Sequence, residues 1–146
     1  MFRNFHNNQR GFTLIEIMVV VVILGILAAI VAPKFLGREE QAQQTRAAVD
    51  IKAIEEALAL FKLDNGFFPS TDQGLKALVT KPESGRIPEK YSENAYLKSV
   101  PVDPWGRTYT YLSPGAHDNF DIVSYGADGE PGGEGTNADV ESWSLN

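Results

Sequence analysis

The chain has 146 residues, a formal net charge of -6 and no cysteine. That length gives one domain of modest size, and the acidic balance argues against nucleic acid as the main partner, since backbone binding needs a concentrated basic surface. The missing cysteines exclude disulfides, thiolate nucleophiles and cysteine metal sites, so a small exported domain must be held by oligomerisation or a metal instead.

Charge is unevenly placed. Residues 1–11 carry Arg3 and Arg10 without an acid, whereas residues 113–146 carry Asp118, Asp121, Asp128, Glu130, Glu134, Asp139 and Glu141 without a Lys or Arg. After the basic segment, residues 12–32 are almost wholly apolar, with Thr13 and Glu16 as the only polar side chains. As a helix rising about 1.5 Å per residue this segment is roughly 31 Å long, close to the hydrocarbon thickness of a bilayer. A domain this small can hardly enclose such a rod, so the segment reads as a transmembrane helix, and the positive-inside rule puts the N-terminus in the cytoplasm.

An ordinary secretory signal has its small-residue cleavage site after the apolar run. Here the small residue, Gly11, comes first, in the string RGFTLIE from Arg10 to Glu16. The combination of basic leader, Gly-Phe, Glu16 and uninterrupted apolar helix resembles the processing site of the type IV prepilin family. That resemblance implies cleavage after Gly11 by a prepilin peptidase/methyltransferase, loss of leader 1–11, and N-methylation of the new terminus at Phe12. The anchor then survives cleavage. It further implies a role for Glu16 in assembly: a carboxylate near the head of a spanning helix is costly, and pairing with the Phe12 amine of a neighbouring subunit would set register. The competing reading places Glu16 near the headgroups, capping the first helical turn and favouring the helix dipole.

Pro33 cannot donate to the Ala29 carbonyl, which predicts a kink or local loosening rather than a helix end. From Lys34 to Asp64 strong helix formers continue, with Ala47, Ile51, Ile54, Leu58 and Phe61 recurring at spacings of four and three. This predicts an amphipathic helix over 33–64 facing a sheet, stopped by Asn65-Gly66. Residues 65–146 then read as a small α+β head. A short helix is predicted over Gly74–Val79 with Thr71 or Asp72 as N-cap, and strands over Arg107–Leu112, with Tyr109 and Tyr111 on one face, and Phe120–Tyr125. The fold class is α+β: a long N-terminal helix packed on a small antiparallel sheet. Trp105, Tyr109 and Tyr111 read as packing under the turn around Pro101, Asp103 and Pro104.

The strings FFPSTDQGLKAL, YLKSVPVDPWGRTYTY and FDIVSYGADGEPGGEG resemble the major pseudopilin family of the bacterial type II secretion system. Type IV pilus pilins share the first third but usually close the C-terminal region with a cysteine pair, absent here. The resemblance implies a homopolymer with minor pseudopilins and an inner-membrane assembly platform as partners, and a filament that helps export folded proteins from the periplasm. It also implies calcium in the C-terminal loop, with Asp128 and Asp139 as carboxylate ligands, backbone carbonyls at Tyr125 and near Val140, and Asn137 offering an amide oxygen. On their own chemistry these residues fit either a solvated acidic loop or a hard-cation site, since calcium takes six to eight oxygens. An EF-hand is excluded by spacing.

Enzymatic groups do not converge. His6 lies in the leader, His117 stands alone in a Pro-Gly-Ala turn, and no Gly-x-Ser-x-Gly or phosphate loop occurs. The chain reads as a non-enzyme, with a membrane-tethered binding module or a surface pilin as the alternatives to a secretion filament subunit.

Overall fold

The computed structural model describes residues 11–145, with residues 33–36 by their backbone alone. The expected leader and its arginines fall outside the described residues, apart from Gly11. The chain divides into two compact units, 1–38 and 39–146, and one helix, α1 (Leu14–Asn65), supplies most of the first unit and the start of the second.

Within the first unit, Gly11, Phe12 and Thr13 precede the helix, and every residue from 11 to 32 is exposed. An 18-residue window of α1 has a mean hydropathy of 3.1 and no buried share, so this stretch is long and apolar enough to cross a membrane. Val19 to Val22 are four β-branched residues in a row, poor helix formers in water. In lipid the helix is favoured regardless, because only intrahelical bonds satisfy the backbone there. The helix continues through position 33.

In the second unit the sequence stripe becomes a core. Ala47, Ile51, Ile54, Leu58 and Phe61 are all at or below 1% exposure, and they pack with Leu75, Leu78, Tyr109, Tyr111, Ile122 and Val140 in one cluster. Each large side chain buried this way contributes about 1.5–3 kcal/mol. Phe61 anchors an aromatic group at the end of α1, meeting Phe67 and Tyr91 edge-on at 5.6 and 6.4 Å and Tyr96 at 5.2 Å. The helix stops at Asn65, where Gly66 takes φ 80 and its amide donates to the Lys62 carbonyl at 2.7 Å.

The sheet has three antiparallel strands in the order β1 (Thr110–Leu112), β2 (Asp121–Ser124), β3 (Val140–Glu141). Tyr111 pairs with Ile122, and Ser124 with Val140. Both predicted strands exist but are shorter than the sequence reading; the ladder begins only at Thr110, because the preceding residues are held by the turn around Asp103. The third strand was not predicted, since two residues carry no periodicity. The helix predicted over Gly74–Val79 is a 3-10 turn, Leu75–Leu78, with Gly74 (φ 59) at its cap and no side-chain capping bond. Thr71 does not cap it: its hydroxyl donates to the Ser113 carbonyl and accepts from the Ser113 amide.

Candidate functional site: a capped apolar helix and a glycine-rich acidic loop

The first candidate site is the head of α1. Thr13 ends the extended segment, and its Oγ1 and carbonyl accept from the Glu16 amide at 3.3 and 3.1 Å. Thr13 and Glu16 therefore stand at N-cap and N3, the spacing of a capping box. Glu16 lies in the first turn, where an acid interacts favourably with the helix dipole. The sequence reading overlooked Thr13, although Thr-x-x-Glu before an apolar run was its signal. Gly11 and Phe12 lie outside the helix and are exposed.

The second is the connection from β2 to β3. Because Ser124 pairs with Val140, the sheet brings Tyr125 and Asp139 to the two ends of one closed loop. Inside it, the Tyr125 carbonyl accepts from the Gly129 amide at 3.1 Å, and the Thr136 carbonyl from the Ala127 amide at 3.1 Å. Asp128 Oδ1 accepts from the Glu130 amide at 3.1 Å; Asp139 Oδ2 accepts from the Gly132 amide at 2.8 Å. Asn137 is exposed, within a 3-10 turn over Gly135–Asn137.

Two features of this loop bear on a cation. Asp139 Oδ1 is buried without a hydrogen-bond partner, and a buried unpaired carboxylate oxygen is costly unless something positive meets it. Glycine, in addition, lets the backbone crowd around Asn137. A Cβ on Gly133 (φ +91) would sit 2.5 Å from the Asn137 carbonyl oxygen, and one on Gly126 (φ +60) 2.8 Å from that of Ala138. Among the described residues no three Asp, Glu, His or Cys side chains converge as a metal cluster, so a cation here would rely on two carboxylates completed by carbonyl oxygens. The unpaired Asp139 oxygen would suit a hard, oxygen-seeking ion, whereas Asp128 Oδ1 and the Tyr125 carbonyl each already accept a backbone amide.

Beside the loop, Asp103 fixes the turn from Pro101 to Arg107. It is 4% exposed; its Oδ1 accepts from the Trp105 and Arg107 amides at 3.1 and 2.8 Å, and its Oδ2 from the Ser124 hydroxyl at 2.8 Å. The turn was expected to be locked by its aromatics, but the buried carboxylate does most of this. Tyr109 and Tyr111 are buried as expected and keep polar partners: the Tyr109 hydroxyl donates to Asp50 Oδ2 at 3.2 Å and that of Tyr111 to the Pro69 carbonyl at 2.8 Å. Burial first, and then the Asp50 charge, pushes the Tyr109 hydroxyl far above the ordinary tyrosine range.

His117 is not the isolated turn residue the sequence suggests. Its ring stacks on Trp143, with centroids 3.8 Å apart and 13° between planes, and its Nδ1 lies 3.0 Å from Asp121 Oδ2. Burial alone would raise the Asp121 pKa. Hydrogen bonds from the His117 ring and from the Ala116 and His117 amides outweigh that and hold it below the usual carboxylate value. This cluster fastens the 113–121 turn to the C-terminal segment.

Residues 34–143 match the family model for type II secretion system protein G, and residues 6–32 the prokaryotic N-terminal methylation motif. The chain belongs to the type II secretion system protein G family. It is 56% identical to type II secretion system core protein G of Vibrio cholerae, covering 94% of this chain and 93% of that protein. Identity to the same protein of Pseudomonas aeruginosa is 56%, over 92% and 95% of the two chains, and to that of Escherichia coli K12 45%, over 95% and 94%. The crystal structure of the major pseudopilin of enterohaemorrhagic Escherichia coli superposes with a TM-score of 0.65 at 38% identity, covering 74% of this chain and 92% of that one. The fold is thus a pseudopilin fold, in a family of structural proteins, and an apolar N-terminal helix with a methylation motif accords with a membrane-anchored subunit.

Proposed function

We propose that this chain is the major structural subunit of a type II secretion pseudopilus, a periplasmic filament that helps export folded proteins across the outer membrane. The observation that carries the reading is the match of residues 34–143 to protein G, supported by the structural likeness to a major pseudopilin. In this reading the precursor is cut between Gly11 and Phe12, and Phe12 is methylated. The apolar part of α1 then holds the subunit in the inner membrane, with the N-terminus cytoplasmic and the head periplasmic. Glu16 pairs with the Phe12 amine of a neighbour, a pairing that low dielectric rewards and a misplaced subunit forfeits. Minor pseudopilins, the processing enzyme and an inner-membrane assembly platform are its partners. The subunit does no covalent chemistry; its work is mechanical.

Calcium is the ion the loop suits. Asp139 and Asp128 would hold it with carbonyls at Tyr125 and near Val140, and Asn137 would add an amide oxygen. Bound calcium supplies a cross-link between the loop and the β2 end, standing in for a disulfide.

The test is complementation. Expressed in a bacterium lacking its own protein G, the chain should restore secretion and give cross-linked ladders of itself in the cell envelope. Processed, membrane-inserted protein that forms no ladders would overturn the filament reading. For calcium, a chelator should lower the Tm of the full chain in detergent micelles, and calcium should restore it; an unchanged Tm would overturn that part alone.

A further inference from the structure

The loop between β2 and β3 is held from outside by two side chains that no reading of a cation site would include. Gln44, on α1, reaches across 91 and 94 positions of sequence: its Nε2 donates to the Gly135 carbonyl at 2.6 Å and to the Ala138 carbonyl at 3.2 Å. Arg107 does the same at the other end, with Nη1 donating to the Gly126 carbonyl at 2.8 Å and Nη2 to that of Ala127 at 3.0 Å. The fit is close enough that a Cβ on Gly129 would lie 2.7 Å from Arg107 Nε.

Four of the loop's carbonyls thereby accept from side chains outside the loop. A flexible loop rich in glycine would otherwise present many interchangeable carbonyls, and a cation would have to order them at an entropic cost. Arg107 holds the Gly126 and Ala127 carbonyls, while the unpaired Asp139 Oδ1 is the oxygen left to attract a cation. The two donors act on the two strands of the loop's neck, where Gly126 and Ala138 lie side by side, and one of them belongs to the helix.

We infer that Gln44 and Arg107 are positioning residues of the cation loop, fixing which oxygens face the ion, and that Gln44 transmits loading of the loop to the segment of α1 around it. The inference rests on the proposal that the loop binds calcium. It adds a consequence that proposal lacks: loop and helix order together, so calcium stiffens the stretch of α1 that enters the head. Removing an outer partner of a metal site typically costs about 10–100-fold in affinity, and that is the range expected here.

The experiment uses the full chain in detergent micelles, titrated with calcium by calorimetry, melted in chelator, and followed by amide hydrogen exchange. In the wild type, calcium should protect both residues 125–140 and residues 41–48. Gln44→Leu, which keeps the bulk and loses the donor, should leave the Tm in chelator within a few degrees, raise the calcium half-saturation about tenfold, and abolish the protection of 41–48 while retaining that of the loop. Arg107→Lys, which keeps the charge but loses the fork, should raise half-saturation without touching 41–48; it also guards against an Arg107→Leu variant that fails to fold. A merely structural role predicts the reverse pattern, with a lowered Tm in chelator and an unmoved calcium titration, and would overturn the inference. A wild-type chain that takes up no calcium overturns the calcium reading itself, whereas normal uptake with Gln44→Leu matching wild type overturns only the inference.

Discussion

Replacing Asp103 by Ala probes the connection on which the head most depends. The carboxylate accepts three hydrogen bonds at 2.8–3.1 Å, from two amides and the Ser124 hydroxyl, while only 4% exposed. Bonds to a charged acceptor contribute about 1.5–3 kcal/mol each, but the three share one acceptor, and removing it also relieves its own desolvation. The Trp105 and Arg107 amides are only part-buried and can recruit water. Ser124 is 1% exposed and cannot, so it bears most of the penalty for an unmet buried donor. A net loss of about 3–5 kcal/mol follows, within the range for breaking a buried network. For a domain of this size it lowers the Tm by more than about 10 °C. Asp103→Asn should cost less, about 1–3 kcal/mol, because its amide oxygen still accepts from the two backbone groups and its nitrogen donates to the Ser124 oxygen, leaving only the Ser124 hydroxyl proton unmet. Thermal unfolding followed by near-ultraviolet circular dichroism of the full chain in micelles measures both. If Asp103→Ala and Asp103→Asn melt together, the buried acceptor is not what holds the turn.

Three other outcomes follow from the same geometry. Gly133→Ala should destabilise the loop well beyond Gly132→Ala: both positions have φ above +90, but only at Gly133 would the Cβ meet a carbonyl oxygen, at 2.5 Å. Gly132→Ala then shows the backbone strain alone, about 1–2 kcal/mol, and equal Tm values for the two variants would contradict the crowding. Asp121 has a folded-state pKa below its ordinary 3.8, so its contribution to stability is complete above that value and is lost as pH falls through the depressed one. Asp121→Asn should therefore be less stable than wild type at neutral pH, with the gap closing in acid melts below pH 3.8; a gap that widens in acid would refute the sign. Glu16→Gln leaves the Thr13 cap in place and sacrifices only the dipole contribution of about 0.3–1 kcal/mol, so insertion should be normal. Loss of a buried pair would cost about 3–5 kcal/mol, so cross-linked ladders should disappear, and ladders at wild-type yield would leave Glu16 with a helix-dipole role only.

Much of this protein could be read from its chain because the relevant physics is local. Residues 12–32 declare a lipid-compatible helix by composition, and Ala47 to Phe61 declare a buried face by spacing, since a helix repeats every 3.6 residues whatever it packs against. Gly11, Phe12 and Glu16 were legible as a contiguous string. The acids of the C-terminal loop were visible as candidates, but their local pattern fitted a solvated loop equally well. What tertiary structure decided lies between residues far apart in sequence. Only the pairing of Ser124 with Val140 makes residues 125–139 one closed loop, and only folding leaves Asp139 Oδ1 buried without a partner. The stacking of His117 on Trp143 and the reach of Gln44 from α1 to Gly135 and Ala138 have no signature in spacing, because no periodicity links residues brought together by the return of the chain. The sequence determined which faces must be covered; the fold determined which donors meet which carbonyls.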